Sequence, residues 1–268
     1  MNNRRHFLVK SASALTMTFI VPSLLSSNAQ AKKPLDQKVT DKKSWGMHID
    51  VDKCVDGCTA CVDACNEENG LTGFGRPETD SQWIRKIKIK DKTTEKITTM
   101  PMLCQHCENP PCCDVCPTGA SFKRVDGIVM VNQHTCIGCR YCMMACPFKA
   151  RSFVHETLTT QNTNAPRGKG CVESCNLCVN KIDHGSDTTA CEDACSKAGH
   201  NAITFGDLKD SNSKVRLAIE SNSPRRLRDD LNLKQKVFYS KISATTHLTN
   251  SKRQDYCTGE SSCFLVFL

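Results

Sequence analysis

Four runs of cysteine along the chain have spacings that suit metal and sulfur chemistry. The most regular is C-x2-C-x2-C-x3-C-P and consists of Cys136, Cys139, Cys142, Cys146 and Pro147. Cysteines at these intervals are typical ligands of 4Fe-4S clusters, because three thiolates three residues apart let one tight loop wrap a corner of an iron–sulfur cube. Gly138 permits a close approach of the backbone. The run therefore predicts a cluster-binding loop.

The fourth cysteine of such a run belongs to a neighbouring cluster. In bacterial ferredoxins that hold two clusters, it ligates the other one. A second run, with its middle gap lengthened by two prolines, consists of Cys104, Cys107, Cys112 and Cys116. Exchanging the fourth cysteines of the two runs predicts two sites. Site 1 comprises Cys104, Cys107, Cys112 and Cys146, and site 2 comprises Cys136, Cys139, Cys142 and Cys116.

The first and last runs are less regular but follow the same scheme. The first has one extra residue in its first gap, and the last is split by a long gap between its two pairs. The same exchange predicts site 3 from Cys54, Cys58, Cys61 and Cys195, and site 4 from Cys175, Cys178, Cys191 and Cys65. The cysteines left outside are Cys113, Cys171, Cys257 and Cys263. Because adjacent cysteines cannot both face one cube comfortably, we expect Cys113 to be a spare buried thiol.

The composition supports bound inorganic centres and argues against nucleic-acid binding. Of 268 residues, 20 are cysteine and only 39% are hydrophobic, so something bound by sulfur is expected to replace part of the core. The formal charge of +8 falls to about +5 without the first 31 residues. Four oxidised clusters of about −2 each would bring it to about −3. A basic surface for nucleic acid is therefore not expected.

Other uses of these cysteines fit the pattern less well. A disulfide framework suits an oxidising compartment, but it needs no repeated three-residue spacing. Zinc favours two C-x2-C pairs, whereas each of these runs has three closely spaced cysteines and a fourth one. The spacing of Cys54, Cys58 and Cys61 matches radical S-adenosylmethionine enzymes, yet no repeated strand and helix units indicate a barrel. C-x2-C-H and C-x2-H are absent, which excludes haem c and argues against a Rieske centre.

The predicted organisation is an α+β, loop-rich fold of two nested bacterial-ferredoxin-like repeats with a short β-hairpin insertion. Strands are predicted at 45–51, 83–89, 97–103, 128–131, 202–205 and 236–239, and a helix at 215–220. The four-cluster domain is predicted over 45–207, with an outer half at 45–75 and 171–207 and an inner half at 98–153. An extension at 208–243 is expected to pack on it, and the tail at 244–268 has no interpretable pattern.

The N-terminal segment reads as an export signal. Paired Arg4 and Arg5, followed by Phe7 and Leu8, resemble a twin-arginine signal over residues 1–31, with a linker at 32–44. An ordinary basic leader or a retained anchor is the alternative. The apolar run is short for a bilayer span. We therefore expect a folded protein exported to the periplasm, starting near Lys32, with no membrane span of its own after cleavage.

These features together resemble the four-cluster ferredoxin-like subunits of bacterial respiratory complexes. The resemblance covers about residues 45–242 and includes Pro-Thr-Gly-Ala at 117–120 and Phe-Gly-Asp-Leu at 205–208. The segments at 126–129, 139–147 and 150–153 look most like the periplasmic DsrO subunit of the sulfite-reductase-linked DsrMKJOP complex. Three features depart from the family pattern: the longer first gap, Ser196 in place of proline after Cys195, and Cys171, which is positioned to substitute for a neighbour in the last run.

The resemblance implies a non-catalytic subunit that relays single electrons. Its implied cofactors are about four 4Fe-4S clusters, or three if the irregular first run has lost its own. The implied partners are an NrfD-like membrane-integral quinone-interacting subunit and a multihaem cytochrome c or molybdopterin subunit. Sulfite-reductase-linked metabolism is the first expectation. The alternative is the iron–sulfur subunit of a molybdopterin oxidoreductase or of a nitrite reductase system. An enzyme with an open iron is the competing functional class.

Overall fold

A computed structural model describes residues 39–76, 78–90, 95–159 and 161–242, and the backbone alone of two strands at 255–258 and 262–265. All of these residues belong to the unit Lys32–Leu268. The expected leader, most of the linker and most of the tail lie outside the described residues, so the export signal stays a prediction. Among the described residues, no helix is both long and apolar enough to span a bilayer.

Short strands and short helices alternate along the chain. The strands are β1 (Trp45–Asp50), β2 (Ile84–Lys90), β3 (Ile97–Leu103), β4 (Ser121–Lys123), β5 (Val129–Val131), β6 (Ser152–Phe153), β7 (Val172–Glu173), β8 (Ile203–Asp207), β9 (Val237–Ser240), β10 (Asp255–Thr258) and β11 (Ser262–Leu265). The helices are α1 (Ala60–Asn69), α2 (Pro111–Asp114), α3 (Tyr141–Ala145), α4 (Val179–Asp183), α5 (Ala190–Lys197) and α6 (Lys214–Asn222). The α+β, loop-rich class predicted from the sequence is confirmed.

Strand β1 is the centre of a three-stranded sheet that joins distant parts of the chain. It pairs antiparallel with β8 and parallel with β9. All its residues are buried, since it has a neighbour at each edge. Trp45 stacks on Phe205 with ring centroids 5.2 Å apart. The sheet therefore holds the first cysteine run, which follows β1, beside the last run, which precedes β8.

The expected hairpin is present, and its sheet is larger than the sequence indicated. Strands β2 and β3 pair antiparallel from Ile84 opposite Leu103 to Lys90 opposite Ile97. Beyond β2 the sheet continues with β11, parallel to it, and then β10. The tail showed no pattern that predicted these two strands, because each has only four residues and β11 pairs with the distant β2. The last residue of β3 precedes Cys104, so the hairpin leads directly into the second cysteine run.

Helices pack in two pairs around the cysteines. Helix α1 contacts α5, and α2 contacts α3. Two short antiparallel ladders, β4 with β5 and β6 with β7, separate the cysteine runs. Many of the thiols are buried in the same core as Met47, Ile49 and Phe205. The sulfur atoms are thus part of the packed interior rather than an appendage to it.

Candidate iron–sulfur sites

Cysteine loops run into short helices at each site. In the third run, the chain passes Gly138 at φ +72° and Arg140 at φ +65° before α3 begins at Tyr141. A Cβ atom at Gly138 would lie 2.3 Å from the carbonyl oxygen of Gly170. Two features therefore require glycine at position 138: the left-handed backbone and the close approach of a second segment. This contact places the third run against the chain that enters β7.

The structure places the four thiols predicted for site 1 in one buried group, made of Cys104, Cys107, Cys112 and Cys146. Burial raises the pKa of Cys107, and the charges of the other three thiols raise it further. The pKa of Cys104 is raised to about 12, again by burial first. Thiolates this close repel one another unless a positive centre lies among them.

The four thiols predicted for site 2 line a single small cavity, and they are Cys116, Cys136, Cys139 and Cys142. Cys142 is buried, whereas Cys139 is exposed to solvent. Two backbone N–H groups point at this group: that of Ser121 lies 3.3 Å from Cys116 Sγ, and that of Val172 lies 3.4 Å from Cys136 Sγ. Site 2 is therefore closer to solvent than site 1.

The thiols predicted for site 3, Cys54, Cys58, Cys61 and Cys195, also come together. The pKa of Cys61 is raised to about 11 by burial, with the charges of its three site partners adding to the effect. Lys86 of β2 donates from Nζ to Cys54 Sγ at 2.7 Å. The backbone N–H of Ala202 donates to Cys195 Sγ at 3.2 Å. A charged donor and a neutral donor thus both face sulfur at this site.

The thiols predicted for site 4 form the most enclosed group, made of Cys65, Cys175, Cys178 and Cys191. Burial raises the pKa of Cys175 far above its ordinary value, and the three other thiols raise it further. The donors at sulfur are neutral: Asn69 Nδ2 lies 3.6 Å from Cys65 Sγ, and the N–H of Ala190 lies 3.5 Å from Cys178 Sγ. No cationic donor to sulfur is recorded at site 4 among the described residues.

The donor set fits 4Fe-4S clusters. Four groups of four thiols, each with N–H donors directed at sulfur, provide full thiolate ligation together with hydrogen bonds to the ligand sulfurs. The eighteen cysteines that the structure describes are free thiols. Within that part of the chain, no three Cys, His, Asp or Glu side chains lie close enough to share one metal ion.

Neighbouring sites meet at shared residues, and these residues give the sites an order. Sites 3 and 4 meet on α1, where the charge of Cys61 raises the pKa of Cys65. Sites 4 and 1 meet at buried Tyr239, whose pKa is raised by burial first and then by Cys175 and Cys104. Sites 1 and 2 meet at Arg151. The order is therefore site 3, site 4, site 1, site 2.

The cysteines predicted to lie outside the sites have varied surroundings. Cys113 is half-buried, not buried as expected, because it follows Cys112 on the one-turn helix α2 and faces Ser121 Oγ at 3.5 Å. Cys171 lies beside Cys136 of site 2 instead of in the last run, and its Sγ donates to the Gln133 carbonyl at 3.2 Å. Cys257 and Cys263 occupy opposite positions in the backbone pairing of β10 with β11, and their side chains lie outside the described residues.

Three residues beside the thiols were missed from the sequence. They are Lys86, Arg151 and Tyr239, which approach sulfur from segments distant in the chain. No local spacing relates Lys86 or Tyr239 to a cysteine run. Arg151 lies five residues after Cys146, but Lys149 is a second charge in the same segment, so position alone does not distinguish Arg151.

Comparison with known proteins gives the family. The family model described as a 4Fe-4S dicluster domain matches residues 95–207. Over 90% of this chain and 99% of the relative, the sequence is 38% identical to the Hdr-like menaquinol oxidoreductase iron-sulfur subunit 1 of Archaeoglobus fulgidus. A subunit of the tetrathionate reductase of Salmonella typhimurium is 32% identical over 80% of this chain and 77% of its own. Protein NrfC of Escherichia coli is 36% identical over 72% of this chain and 79% of its own.

These matches confirm the predicted 4Fe-4S cofactors and the coarser level of the predicted resemblance. They extend over most of the chain, well beyond the 113 or so residues of the dicluster match. The chain belongs to the family of 4Fe-4S ferredoxin-like electron-transfer subunits of oxidoreductase complexes.

Proposed function

We propose that this chain is a periplasmic subunit that relays single electrons between a membrane quinone-interacting subunit and a second redox partner. The observation that carries the proposal is the series of four thiol groups, in which successive groups share a residue that responds to the charges of both. A bound 4Fe-4S cluster supplies one-electron chemistry. The role of the protein is then to hold the centres in series and to set the polarity around each one.

The ligand sets follow the sites defined above, with sixteen cysteines in four sets of four. Their grouping in the structure supports this assignment, because each set is formed by side chains from two separate runs. The packing of α1 on α5 and of α2 on α3 supports two nested ferredoxin repeats, an outer and an inner one. The first run, in spite of its longer gap, contributes three thiols to site 3, which favours four clusters over three.

Relatives guide the choice of partners. One relative is named for a menaquinol oxidoreductase, which favours a quinone-interacting membrane partner. Others are named as subunits of tetrathionate and selenate reductases. Within this range we propose the sulfite-linked role, on the likeness of segments 126–129, 139–147 and 150–153 to the DsrO subunit. A second partner of the molybdopterin or nitrite-reduction type is the alternative.

Metal analysis of the exported protein tests the proposal. We expect anaerobically purified full-length protein to contain about 16 iron atoms and about 16 acid-labile sulfides per chain. Addition of a reduced quinone analogue with the membrane partner should reduce the clusters, and the isolated subunit should show no turnover. Zinc in place of iron, or the absence of inorganic sulfide, would contradict the proposal. A cluster spectrum that changes on addition of S-adenosylmethionine would favour an enzyme instead.

A further inference from the structure

Arg151 is a buried cation that faces sulfur. Its side chain follows the third run, is 5% exposed, and donates from Nη2 to Cys112 Sγ at 3.1 Å. Nε and Nη1 are also buried, and neither donates to any atom of the described chain. Since burying a guanidinium is strongly unfavourable unless an opposite charge compensates it, something negative must lie against this group.

The opposite charges that act most strongly on Arg151 are thiolates, of Cys112, Cys104, Cys142 and Cys146. Three of them belong to site 1, and Cys142 belongs to site 2. The guanidinium also lowers the pKa of Cys142, although burial has the larger and opposite effect. Arg151 thus donates to a ligand sulfur of site 1 and lies near enough to site 2 for its charge to act there.

Among the described residues, no other buried cation donates to a sulfur where two sites meet. Between sites 4 and 1, buried Tyr239 accepts a hydrogen bond from Gln105 Nε2 at 3.1 Å, and both groups are neutral. At site 3, Lys86 contacts Cys54, but it is only half-buried and faces one site. Solvent screens a half-exposed charge far more than a buried one. Compared with Lys86, Arg151 is therefore better placed to exert a strong electrostatic effect, and its effect reaches two sites.

We propose that Arg151 is a counter-cation shared by sites 1 and 2, and that it raises the reduction potential of both clusters together. This inference rests on the proposed electron-transfer function. Reduction adds one electron, and so one negative charge, to a site, without transfer of any atom. A fixed positive charge beside the ligand sulfurs stabilises the reduced form more than the oxidised form. Because the charge is shared, the two potentials stay close and an electron can pass the junction in either direction.

Redox titration of full-length holoprotein tests the proposal, with Arg151→Gln compared with the unaltered chain. Iron and sulfide are measured first, and each cluster couple is then followed by electron paramagnetic resonance. We expect two of the four couples to move to lower potential. A charged hydrogen bond is typically strong enough that each equilibrium constant for reduction should fall about tenfold, equivalent to about 59 mV for one electron.

Lys86→Gln is the matched control, because it removes one cationic donor from a single site. We expect it to lower one couple, different from the two moved by Arg151→Gln. Arg151→Lys keeps the positive charge but lacks the planar guanidinium. We therefore expect the equilibrium constant for reduction of both clusters to fall by less than tenfold. If Arg151→Gln fails to retain iron, the potentials of Arg151→Lys test whether the charge at this position acts on both clusters.

Full iron content with unshifted potentials in Arg151→Gln would overturn the proposal, and so would a shift of one couple alone. In Arg151→Lys with full iron, a fall of both couples by tenfold or more would overturn it equally, because the positive charge is still present. None of these results would affect the electron-transfer function, which depends on the iron and sulfide count and on the presence of four reducible centres.

Discussion

At the scale of single residues, adjacent Cys112 and Cys113 offer a test of the ligand assignment. Cys112 is buried among the thiols of site 1, whereas Cys113 is half-buried and faces Ser121. We expect Cys113→Ser to keep about 16 iron atoms per chain and Cys112→Ser to lose iron from one site. The measurement is iron and sulfide content with the cluster spectrum. Equal loss of iron in the two variants would show that the assignment of Cys112 is wrong.

Gly138 gives a second prediction at this scale, because its backbone and its surroundings both exclude a side chain. Alanine at φ +72° costs about 1 kcal/mol, and the overlap with the Gly170 carbonyl adds to that cost. Gly119→Ala is the control, since Gly119 has φ +67° and no atom within 4 Å of the added Cβ.

We expect Gly119→Ala to lower the thermal unfolding temperature by about 2–4 °C and Gly138→Ala to lower it further, with loss of iron from site 2. The scan rate must be the same for both, because unfolding of a cluster protein is irreversible. If the two variants had the same unfolding temperature and iron content, the close approach of Gly170 would not be the reason for glycine at position 138.

At the scale of elements, an ion triad joins the ladder of β4 and β5 to α4. Arg124 follows β4 and donates to both oxygens of Asp183 at the end of α4, at 2.8 and 2.9 Å. It also bonds Asp126 in the turn before β5, at 2.7 Å. Asp126 is buried, while Asp183 is partly exposed. The triad therefore ties the β4 and β5 ladder to the helix that follows Cys178.

Removal of the arginine should separate these elements. In Arg124→Met, Asp126 keeps a buried charge without its partner, a change that typically costs about 3–5 kcal/mol. In Arg216→Met, the control, the lost partner is Glu220 in an exposed pair on α6, worth about 0.3–0.5 kcal/mol. Thermal unfolding and hydrogen exchange at α4 measure the difference. A loss in Arg124→Met no greater than that in Arg216→Met would contradict a structural role for the triad.

The elements also show what the sequence predicts and what it does not. The sequence predicted β3 with its observed bounds and α6 within two residues at each end. The cysteine groups were predictable because their spacing is local and the exchange of fourth ligands is a general rule. The triad of Arg124 and the contacts of Arg151 were not, since each joins segments whose proximity only the complete fold determines. Strand β11 was missed for the same reason, since it pairs with the distant β2.

At the scale of the whole molecule, the thiols make folding and metal binding one process. Most of the twelve buried cysteines of the described chain lie in the same core as its apolar side chains. Because the cluster ligands are part of this core and come from distant segments, the free energy of metal binding is also free energy of folding. We expect removal of iron with a chelator to abolish the far-ultraviolet circular dichroism of the native protein. Retention of native dichroism in iron-free material would contradict this coupling.

The same coupling gives the last prediction, which concerns export. If the chain folds only around its clusters, it must cross the membrane already folded, and a twin-arginine signal is the address that permits this. Replacing Arg4 and Arg5 by lysine should leave protein with its full iron content and an intact leader in the cytoplasm, while Lys10→Gln, the control, should not stop export.

Cell fractionation, N-terminal sequencing and iron content together measure the result. In the exported wild type, sequencing should start near Lys32. Export of the Arg4 and Arg5 double variant at the wild-type level would show that another route is used. In that case the clusters would have to be assembled after translocation, and iron-free chain should be found in transit.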